Sequence, residues 1–301
     1  MVSRYQIFCK IIEQGSFTKV GEQLGYSQSA ISQTVKALEQ ELGVILINRG
    51  KDGVSLTKDG EMFYPYLHAI GCAEEALRQK HKEVQGLENG TIRIGTFTSV
   101  SRNILPQLMK KFKELYPTVH FVLKQGEYTS ISKWVQEGSV DFGFVNTDAV
   151  KGLTVQTLYQ DKMVAILPLH HDLAPYPEIS LAQLEEEPFI LLDEGEHSVP
   201  LQAFRKGGIS PKIEYKVYDD YTILAMVQQG LGVSIMYHFV LKGFEEDFMI
   251  RPIKEELQRT VALAWKSWDT MPLAARHFAK YIMQDTPSLV ERLEGEIPVL
   301  K

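Results

Sequence analysis

Apolar and polar positions in the first sixty residues alternate with the periodicity of short helices followed by a hairpin. Apolar side chains at helical spacing predict a helix over residues 4–13, and a second helix that Ser16 caps. Ser27 follows a tight turn and is a suitable N-cap for a third helix that ends at Gly43. Two apolar runs on either side of the turn residues 50–53 predict a β-hairpin. Together these elements have the order of a winged helix-turn-helix.

The third helix carries side chains that can read DNA. Its apolar residues fall in a narrow arc, and an adjoining arc is free of acidic groups over the N-terminal half. Amide, hydroxyl and ammonium groups on this arc can bond to base edges or phosphates. Taken alone, such a face is more often a solvated amphipathic surface, but the preceding helix and turn reverse that balance. We predict DNA contacts by Ser27, Gln28, Ser29, Ser32, Gln33 and Lys36 of the helix and by Arg49 and Lys51 of the wing.

A long helical pattern follows over residues 58–87, with Pro65 near its start as a cause of a kink. Steps of three and four residues place a row of apolar side chains on one face, which is typical of a coiled-coil seam and predicts a homodimer. The alternative is a helix packed onto its own domain. Cys72 lies beside this seam. We expect it to fill space as a small buried side chain, and the alternative is a redox-active thiol. The predicted dimerisation residues are Phe63, Tyr66, Ile70, Ala73, Leu77, Val84 and Leu87.

Strand and helix patterns alternate after Asn89-Gly90, which predicts a parallel α/β architecture for the rest of the chain. Short apolar runs bounded by turn residues predict the strands. These strands cover residues 91–95, 119–123, 141–145, 163–167, 189–192, 212–217, 233–236 and 260–265.

An ordered set of motifs resembles the LysR-type transcriptional regulators. The matches are Gly15-Ser16-Phe17-Thr18, Gln23-Leu24, Ser27-Gln28-Ser29-Ala30-Ile31-Ser32, Leu38-Glu39-Gln40-Glu41-Leu42-Gly43 and Leu56-Thr57-Lys58-Asp59-Gly60. Ser29 departs from the family's usual Pro, and Ile47 stands near the wing where Phe is usual. Weaker pieces, such as Gln229-Gly230-Leu231-Gly232-Val233, extend the resemblance into the second half.

The resemblance implies three parts with a two-lobed, periplasmic-binding-protein-like effector domain. We place the winged domain at residues 1–58, the linker helix at 59–89 and the effector domain at 90–301. Lobe I is expected over about 90–160 and 267–301, and lobe II over about 161–266. The two strands that cross between the lobes are expected near 159–167 and 260–266.

Ligands in such folds lie between the lobes, at the carboxyl ends of strands. Hydroxyl and free backbone N–H groups after the first strand suit a small organic anion, and the resemblance supports a ligand role there. The Ser and Thr residues also serve as plain N-caps, and His197 is equally compatible with a solvated loop. The predicted effector-binding residues are Thr98, Ser99, Arg102, Thr129, Asn146, Glu196, His197, Ser198 and Tyr221.

Charge changes this picture in one respect. The net charge of −6 over 301 residues discourages a nucleic-acid partner. Residues 1–58, however, hold seven basic and five acidic side chains, so the acidic surplus lies in the later parts. DNA affinity is then expected to depend on dimerisation and a few placed contacts.

Other function classes have little support in the residues. Without a run of about 18 apolar residues or a signal peptide, we expect a cytoplasmic protein without a membrane partner, not a secreted solute-binding protein. Two cysteines and scattered histidines predict no metal and no cofactor. Hydrolase, zinc-protease and P-loop motifs are absent from the sequence, so we expect no enzyme activity.

The sequence therefore predicts a regulator that binds double-stranded promoter DNA and responds to a small-molecule effector. The resemblance implies a homodimer that pairs into a homotetramer, with RNA polymerase as a further partner. The alternative is a DNA-binding scaffold that has no ligand and uses the second domain only for oligomerisation.

Overall fold

The computed structural model describes residues 2–50, 53–84 and 90–296 of the chain. It divides into two compact units, one built mainly from residues before 88 and one built mainly from residues after it. Two predicted site residues, Lys51 and Leu87, lie outside the described residues, as do the side chains of Val84 and Glu196. Within the described residues, none of the helices combines the length and the apolar character that a membrane span requires.

The first unit begins with three helices, as predicted: α1 (Arg4–Gln14), α2 (Phe17–Leu24) and α3 (Gln28–Leu42). Both predicted N-caps form. The hydroxyl of Ser16 accepts a hydrogen bond from the backbone N–H of Lys19, and that of Ser27 accepts one from Ala30. The apolar faces of the helices meet in one core, whose fully buried members include Phe8, Ile11, Val20, Ile31, Val35 and Leu38.

The wing is an antiparallel pair, β1 (Ile47–Gly50) with β2 (Gly53–Leu56). Glu39, near the end of α3, fixes its position. The Oε1 atom of Glu39 accepts hydrogen bonds from the backbone N–H groups of Leu46 (2.8 Å) and Ile47 (3.2 Å). An acidic residue of α3 therefore holds the wing against that helix.

The long helix α4 (Lys58–Val84) follows the wing and contains Pro65. Phe63 packs against the core of the first unit. Further along the predicted seam the side chains are exposed, including Tyr66 at 72% and Leu77 at 70%.

Lobe I of the second unit has a mixed sheet. Its parallel strands are β3 (Thr91–Thr96), β4 (His120–Gln125) and β5 (Phe142–Asn146), and β11 (Gln258–Trp265) runs antiparallel to β5. The next strand is the first part of β6 (Thr154–Leu167), which pairs with β11. The helices of this lobe are α5 (Thr98–Asn103), α6 (Leu105–Leu115), α7 (Tyr128–Glu137) and α10 (Leu273–Glu296).

Lobe II is built around the second part of β6. Residues 163–167 pair antiparallel with β9 (Ser234–Tyr237) and β10 (Met249–Pro252). A parallel pair, β7 (Phe189–Leu192) with β8 (Ile213–Val217), completes the strands. The helices of this lobe are α8 (Val199–Gly207) and α9 (Asp220–Gln228).

Strand β6 passes from the sheet of lobe I to that of lobe II between Lys162 and Met163, within the expected 159–167. The start of this strand and the second crossing differ from the sequence prediction. Strand β6 starts at Thr154 instead of 163 because its polar first half lies on exposed sheet surface and lacks the apolar run that indicates a strand. Strand β11 pairs with β5, so residues 258–265 belong to the sheet of lobe I. The chain therefore returns from lobe II to lobe I before residue 258, and not at 260–266 as expected. The pattern of β11 shows a buried strand but not which sheet receives it. Two elements, α8 and β10, were not predicted.

Candidate functional site

The predicted DNA-reading face lies on the N-terminal half of α3. Gln28, Gln33 and Lys36 are exposed there. Ser27 and Ser29 are exposed as well, and their hydroxyl oxygens lie 2.9 Å apart. This face combines free amide and ammonium groups with a pair of hydroxyls that already bond to each other.

The guanidinium of Arg49 connects the wing to the reading face. It donates a hydrogen bond to the Oγ of Ser32 (3.1 Å) and lies over the ring of Phe17, 4.2 Å from the ring centre. Phe17 belongs to α2, so three elements position this cation. The structure thus brings Arg49 and Ser32 together. Tyr26, in the turn before α3, adds an exposed ring that the sequence prediction did not include.

A cavity of about 150 Å³ lies between the two lobes. Its walls come from the carboxyl ends of the parallel strands β3, β4, β7 and β8, where α/β folds bind their ligands. Lobe I contributes residues 97–99 and 125–128, and lobe II contributes 192–194 and 218–220. Tyr237, Val240 and Arg259 complete the wall.

Arg259 is the central cation of this cavity and is only 3% exposed. It stands opposite Asp161 in the ladder between β11 and β6, and its Nε and Nη2 donate to the Oδ2 of that carboxylate. It also donates to Ser99 Oγ (2.6 Å) and to the hydroxyl of Tyr128. The ring of Tyr237 lies 3.5 Å from the guanidinium carbon. Both lobes and the crossing strands therefore hold this side chain.

Two buried carboxylates face the same cavity. The Glu194 carboxylate, 7% exposed, accepts hydrogen bonds from the hydroxyls of Tyr128 (3.0 Å) and Tyr237 (3.2 Å). Burial raises the pKa of Glu194 to about 7. Asp220 is equally buried, and burial raises its pKa against the opposing effect of a hydrogen bond with Thr98. Neither carboxylate has a salt bridge among the residues that the structure describes.

Among the predicted effector-binding residues, Thr98 and Ser99 line the cavity. Arg102 donates to the hydroxyl of Tyr221 (2.6 Å), which joins the two lobes outside the cavity wall. The remaining predicted residues with described side chains are likewise outside that wall: Thr129, Asn146, His197 and Ser198.

These four residues have local surroundings of their own. Thr129 is exposed, and its backbone N–H donates to the Glu127 carboxylate. The Oδ1 of Asn146 accepts from the backbone N–H of Asp148, and Ser198 caps α8. His197 is half-buried beside that cap. None of these contacts points to a ligand.

The charge of the cavity does not favour the predicted organic anion. Five carboxylates line it against one guanidinium, and that guanidinium is paired with Asp161. An anion would meet net negative charge in a partly desolvated space, which is unfavourable. The lining acids are Glu127, Asp193, Glu194, Asp219 and Asp220.

The sequence prediction missed the central residues of the cavity. Arg259 lies directly before the strand predicted at 260–265, and Asp161 lies within the crossing predicted at 159–167. Opposite charges just before two apolar runs that are expected to cross between the lobes are an unusual pattern, because buried charges need a partner. That pattern was the available signal for this pair, whereas nothing local marks Tyr237 or Glu194.

Two family models match the chain. The model described as "Bacterial regulatory helix-turn-helix protein, lysR family" matches residues 2–61, and the model described as "LysR substrate binding domain" matches residues 85–287. A Bacillus subtilis relative, the uncharacterized HTH-type transcriptional regulator YvbU, is 32% identical over 92% of this chain and 96% of its own length.

Two solved structures show the same fold. Full-length CbnR complexed with its target DNA has a TM-score of 0.68 at 20% identity and covers 93% of this chain and 97% of its own. The CcmR regulatory domain of Synechocystis PCC6803, in complex with 2-PG, has a TM-score of 0.60 at 22% identity and covers 65% of this chain and 97% of its own.

Proposed function

The chain belongs to the LysR family of DNA-binding transcriptional regulators, and on that premise we propose that a small molecule bound between its two lobes controls its action at promoter DNA. The observation that carries this proposal is the cavity at the carboxyl ends of the parallel strands, with buried ionisable groups from both lobes in its wall. The CcmR regulatory domain, which has this fold, was solved with 2-PG, and this supports a small-molecule ligand here.

We propose that α3 reads bases in the major groove through Gln28 and Gln33, whose amides are exposed. Lys36 and Arg49 then contact phosphates or base edges. The bond from Arg49 to Ser32 and its position over Phe17 support this role, because they hold the cation beside the reading face without neutralising its charge.

We propose that α4 forms a homodimer through its exposed apolar row. Tyr66, Ile70 and Leu77 are all exposed in the single chain, with Met62 beside them. Such a row on one helix is favourable only when a second helix covers it. Two reading heads in one dimer would bind two half-sites, and pairing into a tetramer and contact with RNA polymerase remain predictions.

The ligand would act by changing the relative pose of the lobes. It can shift the regulator between two poses only as far as its affinity differs between them. Existing contacts between the lobes favour such coupling. Arg102 bonds to Tyr221, and the amide of Asn103 donates to the backbone oxygen of Phe239 (2.6 Å).

The second candidate is a DNA-binding scaffold without ligand. Burying Glu194 and Asp220 without a salt bridge is costly, and a domain used only for oligomerisation gains nothing from that cost. This observation favours the ligand-responsive regulator.

The test measures DNA binding by the full chain with and without ligand. Duplexes from the chromosomal region around its gene are screened by fluorescence anisotropy, and a metabolite library is then screened for compounds that change the dissociation constant. Thr98→Ala should weaken the response to an active compound about threefold to tenfold, since a hydroxyl of the cavity wall is lost. Thr129→Ala, outside the wall, is the matched control. A library that changes neither DNA binding nor the unfolding temperature would favour the scaffold.

A further inference from the structure

We propose that the ligand of the cavity is a small organic ammonium ion, bound with its positive charge at Glu194 and Asp220. This inference rests on the proposed function, because it names the chemical class of the molecule that the cavity takes. It replaces the organic anion that the sequence predicted.

The first argument is the balance of charge around the cavity. Three of the five lining carboxylates have structural partners. Glu127 accepts from backbone N–H groups at the start of α7, Asp219 does the same at the start of α9, and Asp193 pairs with Lys216 at 3.1 Å. Glu194 and Asp220 instead bond to neutral hydroxyl groups, those of Tyr128 and Tyr237 for Glu194 and that of Thr98 for Asp220. Neither of these two carboxylates forms a salt bridge with a described residue, so a ligand ammonium group is the charged partner that each of them lacks.

The second argument is that Arg259 leaves little positive charge for an anion. Its guanidinium donates twice to Asp161, once to Ser99 and once to Tyr128, so four of its five N–H groups are used. An anion would have to compete with Asp161 or bind through the single remaining N–H group. A cation instead meets Glu194 and Asp220, which Arg259 attracts without forming a salt bridge, and which pair with no other described lysine, arginine or histidine.

The third argument is the cost of the buried carboxylates. Burial raises the pKa of both Glu194 and Asp220, and the charge of Asp220 contributes to the shift of Glu194. Arg259 favours the charged form of both side chains, but burial outweighs it, so each carboxylate is destabilised in the charged form while no ligand cation is bound. An ammonium ion reverses this, because it donates hydrogen bonds and neutralises charge in the same step.

The fourth argument is the shape and the walls of the cavity. The rings of Phe97, Tyr128 and Tyr237 already surround the Arg259 guanidinium, and Tyr218 adds a further ring to the wall beside the carboxylates. Aromatic faces attract cations and repel anions through the ring quadrupole. A cavity near 150 Å³ holds a group of about the size of benzene, with about six non-hydrogen atoms. A short aliphatic amine fits this description.

The test is isothermal titration calorimetry of the full chain with matched probes. Ethanolammonium is compared with ethylene glycol and glycolate, and putrescine with butane-1,4-diol and succinate. We expect binding by the ammonium probes and none by the uncharged and anionic ones. Glu194→Gln and Asp220→Asn should each weaken ammonium binding by about 10- to 100-fold, the loss typical of a charged hydrogen bond. Glu214→Gln changes an exposed carboxylate of the same lobe outside the cavity wall and should leave the affinity unchanged.

Proton exchange gives a second readout that does not depend on variants. Near pH 6.5 part of the Glu194 population is protonated, so cation binding should release protons and anion binding should take them up. Titrations in two buffers of different ionisation enthalpy measure this sign. Binding by glycolate or succinate with proton uptake would overturn the inference and leave the proposed function standing. Failure of both ammonium probes would also overturn it, whereas the proposed function fails only if the metabolite library gives no response.

Discussion

Replacing Glu194 by Gln should change how the stability of the second unit depends on pH. Glu194 is buried, and its carboxylate bonds only to the neutral hydroxyls of Tyr128 and Tyr237. Its pKa in the folded chain is about 7, against an ordinary value of 4.5. Between these values the unfolded chain loses the proton and the folded chain keeps it. The free energy of unfolding therefore falls as the pH rises through this range, and the stabilising contribution is lost above about pH 7.

The size of the effect follows from the two pKa values. A difference of about 2.5 units at about 1.4 kcal/mol per unit corresponds to about 3 kcal/mol. Glutamine does not titrate, so the variant lacks this loss. The difference in unfolding free energy between Glu194→Gln and the unsubstituted chain should rise by about 3 kcal/mol between pH 4.5 and pH 8. The substitution also changes the unfolding free energy by an amount that does not depend on pH, because an amide replaces a neutral acid. Comparing the two chains at both pH values cancels that constant amount.

Urea unfolding followed by tryptophan fluorescence measures this change. All three tryptophans, Trp134, Trp265 and Trp268, lie in the second unit, so the signal reports that unit and not the DNA-binding one. Glu214→Gln is the control, since it makes the same substitution at an exposed carboxylate of the same lobe. A flat difference for Glu194→Gln, or one that falls towards pH 8, would refute the reasoning that burial dominates at this carboxylate.

Further substitutions test the other parts of the structure. Gln33→Ala should weaken binding to the cognate duplex by about 1–3 kcal/mol and leave random duplexes unaffected, as competition anisotropy would show. Arg49→Ala should weaken both duplexes alike and flatten the salt dependence of binding. Leu77→Asp should shift the sedimentation coefficient towards the monomer, because it puts charge into the exposed apolar row. Arg259→Met should lower the free energy of unfolding by about 3–5 kcal/mol, and adding Asp161→Asn should recover most of it, since the loss comes from an unpaired buried charge.

Local signals made most of the secondary structure predictable. The three helices of the first unit are bounded by serine N-caps and by glycines with positive φ, such as Gly25 and Gly43. These signals act within a few residues and do not depend on the rest of the fold. The start of β6 and the sheet that receives β11 depend on pairing between distant segments, so they lay beyond the reach of a local pattern.

The candidate sites were predictable to different degrees for the same reason. The reading face lies on one continuous helix, so the spacing of Gln28 and Gln33 was enough to place both on the exposed side. The cavity collects residues from segments far apart in the chain. Thr98 and Ser99 were identified from the end of one strand, but the tyrosines and Glu194 come together only through the pairing of the lobes.

The crossing strand β6 has a mechanical consequence for signalling. It continues from the sheet of lobe I into that of lobe II without a break, and it is bound to neighbouring strands over most of its length. A paired strand resists bending more than a free loop does, so the connection between the lobes is stiff and not a flexible hinge. Under the proposed function, ligand binding would therefore produce small rotations of one lobe against the other instead of a wide opening.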